Sequence, residues 1–426
     1  MDNFLTHTFS IKNHPICKLK EKFKIQYVMG LGEFMCYMSQ KDVRAKLVFE
    51  VWARSIIPTL PVSCWQCTKD YSQIKTATSL KRDGFRFFSM RRIFFYDCFY
   101  LSSTLNAELV TCTYSFLYEN VRDIISRHIL KDVYANWGNP TQKKIPPQLL
   151  NHKINNDVFH SKPLKRILVV ATMSAGKSTL INALMGYRVN EVKTTACTDK
   201  LCYLYNKPSV DGVIIRRKKG EYMYSSDVES VQKVDFIEAG LHFNSSLSDS
   251  RICFIDTPGT NYSGDKSHGE ITLKAISSND YDAIIFVVNS LQFNTDDEAT
   301  LRDYVIKRTK RPVLFVLNQL DCFNPEDDSI QDTLNSLSMI LRNSKIKYQI
   351  SPLSAYYALL LKLKAGNRKF SKQEQIQMDN LVNLFKDDYY NLVSYCHNSS
   401  VRKEANEYEK TGITLLESLI KKINKI

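Results

Sequence analysis

The fold of the second half of the chain is decided by the stretch Ile167-Leu168-Val169-Val170-Ala171-Thr172-Met173-Ser174-Ala175-Gly176-Lys177-Ser178. An apolar run leads into a turn of small residues, and residues 179–184 then show the pattern of a helix. Backbone N–H groups that converge at the start of a helix bind phosphate. The stretch therefore predicts a phosphate-binding loop, in which Lys177 reaches the β- and γ-phosphates and the Ser178 hydroxyl holds Mg²⁺. The other residues that we expect to line the phosphates are Ser174, Ala175, Gly176 and Thr179.

A second motif, Asp256-Thr257-Pro258-Gly259, follows the apolar residues 252–255 and lies 78 residues after Ser178. An aspartate at the end of a strand beside the phosphate-binding loop supports Mg²⁺, and the N–H of the glycine contacts the γ-phosphate. We therefore expect Asp256 to be a metal residue and Gly259 to be a phosphate contact.

The third motif predicts which base is bound. Asn318-Gln319-Leu320-Asp321 follows the apolar residues 313–317. A carboxylate accepts hydrogen bonds from the N1 and N2 donors of guanine, whereas adenine offers no matching donors. Asp321, with Asn318 beside it, therefore predicts guanine and disfavours an ATP-binding protein. Gln319 stands where this motif normally has lysine, so we expect weaker nucleotide binding with unchanged specificity.

Two shorter strings complete the set. Ser354-Ala355 comes one strand–helix unit after the base-reading motif, where a backbone N–H contacts guanine O6. Thr194-Thr195-Ala196 begins 17 residues after Lys177, and a threonine there closes on Mg²⁺ and orients the attacking water. Thr195 is favoured over Thr194, and the choice between them stays open. Each string occurs by chance singly, but their joint order, most of them directly behind an apolar run, indicates one nucleotide site.

From Lys165 onward, short β-branched runs alternate with helical segments, which predicts an α/β domain with a mostly parallel sheet flanked by helices. Several runs are almost entirely apolar, as in strands that are covered on both faces. The candidate strands are residues 167–171, 201–205, 213–217, 252–256, 283–288, 313–317 and 348–352. Near the end of the chain, Thr414-Leu415-Leu416-Glu417 predicts a capping box that opens a last helix.

Three regions follow from these patterns. Residues 1–135 carry apolar side chains at helical spacing, for example Phe23, Tyr27 and Leu31, and predict a mainly α-helical N-terminal domain of unknown role. Residues 136–160 contain Pro146-Pro147 and predict a linker. The nucleotide-binding domain then covers residues 161–426, with an inserted helical segment near 356–410 whose role the sequence does not indicate.

Composition narrows the class of protein. The 426 residues, 44% of them hydrophobic, suffice for two or three globular domains. We see neither an apolar run of the ~18 residues that a membrane-spanning helix needs nor a secretory signal, so we predict a cytoplasmic protein. Eleven cysteines are an odd number for a disulfide framework, and we expect reduced thiols, including both cysteines of Cys64-Trp65-Gln66-Cys67.

The positive charge lies mostly in the first part of the chain. The whole chain has a net charge of +14, and the first 160 residues, with 22 Lys+Arg against 13 Asp+Glu, contribute +9. Such a segment suits either an anionic partner or a merely solvated basic surface. Residues 82–99 interleave arginine with phenylalanine, which fits a membrane surface. The same stripe fits a buried helical core with a basic edge, and we favour that interpretation.

Residues 173–186, Met-Ser-Ala-Gly-Lys-Ser-Thr-Leu-Ile-Asn-Ala-Leu-Met-Gly, resemble the phosphate-binding loop of the bacterial dynamin-like GTPases. The resemblance continues through residues 194–196, 256–259, 268–272, 282–289 and 318–321, within residues 160–426. It implies a Ras-like P-loop GTPase domain that uses GTP/GDP and Mg²⁺. The resemblance places catalysis on Ser174, Lys177 and Thr195, metal binding on Ser178, Thr195 and Asp256, and guanine on Asn318 and Asp321. Met173 departs from the family, because dynamins have glutamine at this position and that glutamine helps the reaction.

Two classes of function remain open. In the first, the chain is a dynamin-like enzyme that hydrolyses GTP and associates with itself, as a homodimer across the GTPase domain, or peripherally with a membrane. In the second, it is a soluble regulatory switch whose helical N-terminal domain binds a protein or RNA partner. Of these two partners, nucleic acid is the less favoured. Thr260 follows Gly259 where Ras-like enzymes have a water-orienting glutamine, so we expect slow intrinsic hydrolysis.

Overall fold

A computed structural model of the chain describes residues 3–68, 70–79, 90–121, 123–189, 200–258, 266–396 and 405–423. The chain forms two compact units. One comprises Met1–Ser161, Pro208–Asp211 and Tyr222–Tyr224, and the other comprises Lys162–Lys207, Gly212–Glu221 and Ser225–Ile426.

The first unit is built from helices. They are α1 (Glu21–Met38), α2 (Ala45–Arg54), α3 (Ser72–Ser79), α4 (Met90–Leu105), α5 (Leu109–Asn120), α6 (Ile124–Ala135) and α7 (Pro147–Ser161). Residues 136–160, which we predicted to be a linker, thus contain most of a 15-residue helix. Pro147 stands in its first turn, where proline is tolerated because that N–H has no partner within the helix.

A buried carboxylate ties the helices of this unit together. Asp97 on α4 has no exposed surface, and its Oδ2 accepts hydrogen bonds from the Tyr27 hydroxyl at 2.7 Å and from Trp52 Nε1 at 3.3 Å. His14 Nε2 lies 2.9 Å from the same oxygen. Because a buried charge is tolerated only when it is paired or hydrogen-bonded, this cluster fixes the arrangement of α1, α2 and α4.

The stripe of arginine and phenylalanine belongs to this core as far as the structure describes it. Phe94, Phe95 and Phe99 are fully buried on α4, and Arg91 and Arg92 pair with Asp123 and Asp132. The interpretation as a buried core with a basic edge is therefore supported for residues 90–99, and residues 82–88 lie outside the described part.

The expectation of reduced cysteines was wrong for one pair. Cys36 and Cys67 form a disulfide, with Cα atoms 5.6 Å apart, which lies in the usual range. Cys64 of the same Cys-Trp-Gln-Cys string is a buried free thiol. Only one cysteine of the string is therefore bridged, because Cys67, and not Cys64, lies next to a cysteine of α1.

The sheet belongs to the second unit, except for β4, of which Tyr222–Tyr224 are assigned to the first unit. Its strands are β1 (Lys165–Ala171), β2 (Cys202–Asn206), β3 (Val213–Arg216), β4 (Tyr222–Ser225), β5 (Glu238–Leu241), β6 (Ile252–Asp256), β7 (Ala283–Asn289), β8 (Val313–Asn318) and β9 (Tyr348–Pro352). The nine-stranded order is β4-β3-β5-β2-β6-β1-β7-β8-β9, which confirms the predicted α/β class. The run from β6 to β9 is entirely parallel, so these five strands end at the same edge of the sheet.

Helices flank this sheet. They are α8 (Lys177–Met185), α9 (Lys266–Ser278), α10 (Asp296–Arg308), α11 (Ile330–Arg342), α12 (Ala355–Ala365), α13 (Lys372–Leu384), α14 (Glu407–Lys410) and α15 (Ile413–Lys421). Every residue of β7 and of β8 is buried, as expected for apolar strands covered on both faces. Within the described residues, no helix of either unit is long and apolar enough to cross a membrane.

The predicted capping box at residues 414–417 was wrong. Helix α15 begins one residue earlier, after Gly412, which has φ +84° and caps the helix without a side chain. Glu417 is instead buried, where its Oε1 lies 2.5 Å from Lys362 Nζ, and the same ammonium donates to the Ala183 carbonyl at 2.6 Å. This ion pair ties α15 and α12 to the end of α8.

Candidate nucleotide-binding site

The predicted phosphate-binding loop connects β1 to α8. Gly176 lies directly before the helix with φ +83°, and a Cβ there would stand 2.4 Å from Asn318 Nδ2, so only glycine fits. Ser174 also has a positive φ of +61°, a conformation that costs a non-glycine residue about 1 kcal/mol. The turn places the first N–H groups of α8 at the sheet edge where β1 ends, the arrangement that binds phosphate.

Lys177 and Asp256 meet in this loop although they are 79 residues apart. The parallel register pairs Val169 of β1 with Asp256 of β6, which brings the carboxylate beside the loop. Lys177 Nζ and Asp256 Oδ1 form an ion pair, and both side chains are nearly buried. The structure therefore places the predicted phosphate-binding cation next to the predicted metal-supporting carboxylate.

Thr257, the next residue of the second motif, holds the end of β6 against β1. Its buried hydroxyl donates to the Val169 carbonyl at 2.8 Å. The predicted phosphate contact Gly259, Thr260 after it, and the switch threonine candidates Thr194 and Thr195 all lie outside the described residues.

Asn318 joins three of the predicted motifs through one side chain. Its Nδ2 donates to the Ala175 carbonyl at 3.0 Å, and its Oδ1 accepts from the Ala355 N–H at 3.0 Å. Asn318 itself is 2% exposed. Because both bonds are buried, the side chain fixes the loop and the Ser354-Ala355 string relative to the end of β8.

The remaining residues of the third motif lie at the same edge. Gln319 adopts φ +67°, and its Nε2 donates to the Ser174 carbonyl at 2.9 Å, so the residue in the usual lysine position contacts the phosphate-binding loop. Asp321 follows in a short 3₁₀ turn, Leu320–Cys322. Burial raises the pKa of the Asp321 carboxyl above its ordinary value, and the Ser354 hydroxyl acts in the opposite direction.

Residues near the end of the chain hold the Ser354-Ala355 string in place. Ser354 is fully buried, and its N–H donates to the Thr411 carbonyl at 3.0 Å. Gly412 approaches so closely that a Cβ would lie 2.1 Å from the Pro352 carbonyl oxygen. The short helices α14 and α15 therefore support the loop that presents the Ala355 N–H.

Sequence reasoning missed Asn289 as a site residue. It ends β7, pairs in register with Asn318, and directs Nδ2 toward the Ser174 carbonyl at 3.5 Å. Its Oδ1 accepts the Leu291 N–H at 3.0 Å. The available signal was its position: a polar residue that ends an apolar strand of a parallel sheet lies at the edge where ligands bind.

The donors at this edge suit Mg²⁺ bound together with phosphate. Mg²⁺ prefers hard oxygen ligands and usually takes one or two protein oxygens, with phosphate oxygens and waters completing its shell. Ser178, half-buried in the first turn of α8, and Asp256 supply a hydroxyl and a carboxylate. Among the described residues, no cluster of three or more His, Cys, Asp or Glu forms an all-protein metal site. Ser178 and Asp256 therefore fit a Mg²⁺ ion whose other ligands are phosphate oxygens and waters.

Comparison with known proteins agrees with this geometry. Residues 167–320 match the family model of the dynamin family. An uncharacterized protein from the xynA 3′ region of Caldicellulosiruptor sp. (strain Rt8B.4) is 24% identical over 288 residues, 64% of this chain and 66% of its own length. GTPase Era of Haemophilus influenzae (strain PittGG) is 25% identical over 164 residues, 38% of this chain and 41% of its own. The chain thus spans less than two thirds of the length of either relative.

One solved structure resembles the whole chain weakly. It is an oligomerised bacterial dynamin pair, described as a mechanism for the long range sensing and tethering of membranes. It has 14% sequence identity and a TM-score of 0.36, and the similarity covers 91% of this chain and 60% of that one.

The fold and the match of residues 167–320 to the family model identify a P-loop GTPase domain. The same match confirms the resemblance to dynamin-like GTPases that is seen in the sequence.

Proposed function

We propose that this chain binds GTP with Mg²⁺ and hydrolyses it to GDP and phosphate. The observation that carries the proposal is the convergence of Lys177, Asp256, Asn318 and Ala355 at the edge where β6, β1, β8 and β9 end. These residues are spread over 179 positions, yet strand order alone brings them together. Phosphate, metal and base contacts would then lie at one edge of the sheet.

The roles follow from the chemistry of each group. The Lys177 ammonium and the N–H groups of the loop would neutralise the charge of the phosphates, and this charge grows as the γ-phosphoryl group leaves. Ser178 and Asp256 would hold Mg²⁺, which supplies further charge neutralisation when bound. Asp321 would accept the guanine N1 and N2 protons. The Ala355 N–H, which donates to Asn318 Oδ1 at 3.0 Å, would be shared between that oxygen and guanine O6.

Binding is tested first, by calorimetry with GTP, GDP and ATP in the presence of Mg²⁺. We expect GTP and GDP to bind and ATP not to bind. Lys177→Ala should abolish GTP binding, and an unchanged affinity would refute the phosphate-loop assignment. Asp321→Asn should exchange guanine for xanthine, because an amide donates to the xanthine C2 carbonyl where the carboxylate accepted from N2. A variant with unchanged preference for GTP over XTP would refute the base assignment.

Hydrolysis is expected to be slow in the isolated chain, because Thr260 cannot orient water as glutamine does. We propose that association through the GTPase domain completes the site. Turnover per molecule should then rise with protein concentration. Slow turnover that is independent of concentration would leave an activating partner as the explanation, and fast turnover in dilute monomer would refute both versions.

We also propose that the nucleotide state controls association with a second copy or peripherally with a membrane. Light scattering with GDP and with a non-hydrolysable GTP analogue tests self-association. Sedimentation with anionic liposomes tests membrane binding. If neither changes with nucleotide, the chain is better explained as a soluble switch whose helical unit binds a protein or RNA.

A further inference from the structure

Two threonine hydroxyls hold the backbone that follows Asp256. Thr257 donates to the Val169 carbonyl of β1 at 2.8 Å, and Thr272, in the middle of α9, donates to the Pro258 carbonyl at 3.0 Å. Both threonines are fully buried. Because water is excluded from these two bonds, each fixes the backbone more firmly than an exposed hydrogen bond would.

The bond from Thr272 controls the torsion angle that the other restraints leave free. Thr257 is anchored to β1, and the proline ring fixes φ of Pro258 at about −65°. The orientation of the next peptide unit therefore depends mainly on ψ of Pro258, the torsion angle that turns its carbonyl. That carbonyl oxygen is the atom to which Thr272 donates.

The same peptide unit carries the N–H of residue 259, which we expect to contact the γ-phosphate. A trans peptide is planar, and its C=O and N–H point in opposite directions, so an anchored carbonyl sets the direction of the N–H. Gly259 lies outside the described residues, but as a glycine it tolerates either sign of φ and selects no orientation by itself. The selection is therefore left to the bond from Thr272.

The position of α9 indicates the direction of that N–H. Helix α8, which follows the phosphate-binding loop, buries Leu180 and Ile181 in one core cluster with Val169 of β1. Ala275 and Ile276, which α9 buries, do not belong to this cluster, so α9 covers the other face of the sheet. A carbonyl that points to α9 directs the N–H of its peptide unit away from α9, toward the side on which α8 begins.

We propose that Thr272 is a positioning residue, whose hydroxyl turns the peptide unit after Pro258 so that its N–H faces the γ-phosphate. The inference rests on the proposed function and deepens it, because this bond would increase the preference for GTP over GDP. GDP has no γ-phosphate to contact this N–H, so the bond strengthens the binding of GTP alone. A difference of this kind is what allows a nucleotide to select one conformation of the chain.

Thr272→Val tests the role of the hydroxyl, because valine has a similar shape and cannot donate a hydrogen bond. Calorimetry with Mg²⁺ present measures two affinities, one for a non-hydrolysable GTP analogue and one for GDP. We expect the ratio of the first to the second to fall about twofold to tenfold, the range for loss of one hydrogen bond between neutral groups. The affinity for GDP should stay unchanged.

Two further variants serve as controls. Thr272→Ser keeps the hydroxyl, so its ratio should match that of the original chain. Thr309 is also a buried threonine, and its hydroxyl accepts a bond from the Tyr281 hydroxyl at 3.2 Å. Thr309 and Tyr281 precede strands β8 and β7, so they lie at the edge of the sheet opposite the site. Thr309→Val should therefore leave the ratio unchanged.

A purely structural role of Thr272 gives a different result. If the bond only stabilises the fold, Thr272→Val should retain both affinities or lose both equally. An unchanged or increased ratio in Thr272→Val therefore overturns the inference. A ratio in Thr272→Ser as low as in Thr272→Val overturns it too, because the hydroxyl would then not be the group that matters.

Failure of the inference and failure of the proposed function are distinguishable. If the original chain binds neither the GTP analogue nor GDP, the proposed function fails. If it binds both, with the loss expected for Lys177→Ala, but Thr272→Val leaves the ratio unchanged, only the inference about Thr272 fails.

Discussion

Asn318→Ala is the most informative single substitution at the base of the site. The substitution removes both bonds that the side chain makes, one to the Ala175 carbonyl and one from the Ala355 N–H, each 3.0 Å long. Both partners are left buried. A buried polar group without a partner costs about 1–3 kcal/mol, so the two groups together predict a loss of about 2–6 kcal/mol in the free energy of unfolding.

Part of the free energy lost in Asn318→Ala should appear as weaker nucleotide binding. Asn318 fixes the phosphate-binding loop relative to the Ala355 N–H, so without it GTP must order both segments as it binds. If about 1.4 kcal/mol of the cost falls on this step, GTP affinity decreases about tenfold. Asn318→Asp keeps the acceptor for the Ala355 N–H but turns a carboxylate oxygen toward the Ala175 carbonyl. We expect it to be at least as damaging as alanine, because a charge would be buried beside a carbonyl.

Urea denaturation and calorimetric titration with GTP measure the two effects. Asn335→Ala on the exposed face of α11 is the control, and it should change the free energy of unfolding by less than about 0.5 kcal/mol. The reasoning is refuted if Asn318→Ala unfolds like the control and binds GTP with unchanged affinity.

Three further predictions concern single interactions. Lys362→Met leaves the buried Glu417 carboxylate without the cation that pairs with it, and should lower the free energy of unfolding, measured in urea, by about 3–5 kcal/mol. Adding Glu417→Leu should recover most of this loss. A double variant as unstable as the single variant would contradict the prediction. Because burial raises the pKa of Asp321, and guanine needs the ionised carboxylate, GTP affinity should fall as the pH falls through that raised pKa. The residual affinity of Asp321→Asn should lack this dependence, and an identical pH profile would exclude Asp321 as its source. Gln319→Lys should tighten GTP binding a few-fold, since an ammonium can still reach the Ser174 carbonyl and adds charge; weaker binding than the original would show that the amide itself is required.

The parts of the site that the sequence predicted share one physical origin. Each motif follows an apolar run, and apolar runs in an alternating β–α order form parallel strands whose ends meet at one edge. The register that pairs Val169 with Asp256 and Asn289 with Asn318 is a consequence of that order. Motif spacing was therefore sufficient to bring Lys177 next to Asp256.

Most of the features that the sequence did not predict depend on contacts between residues that are distant in sequence. Thr414 and Glu417 have the local spacing of a capping box, but Glu417 pairs with the buried Lys362 and accepts the Ser246 N–H at 3.3 Å. Strand β5, Glu238–Leu241, contains a glycine and only four residues, so no alternation could reveal it. Strand β4 has the same length, and none of its residues is buried. Glu417 and β5 therefore depend on segments that are remote in sequence, whereas β4 pairs with the preceding strand β3 and has no buried residues that could reveal it.

Gln319 stands where the third motif normally has lysine, and it contacts the phosphate-binding loop. The Ser174 carbonyl, in a strained turn of φ +61°, accepts the Gln319 amide at 2.9 Å and lies 3.5 Å from Asn289 Nδ2. A neutral amide can hold this carbonyl, but it brings no positive charge toward the proposed nucleotide. The Gln319→Lys variant therefore separates two roles of this side chain, contact with the loop and positive charge.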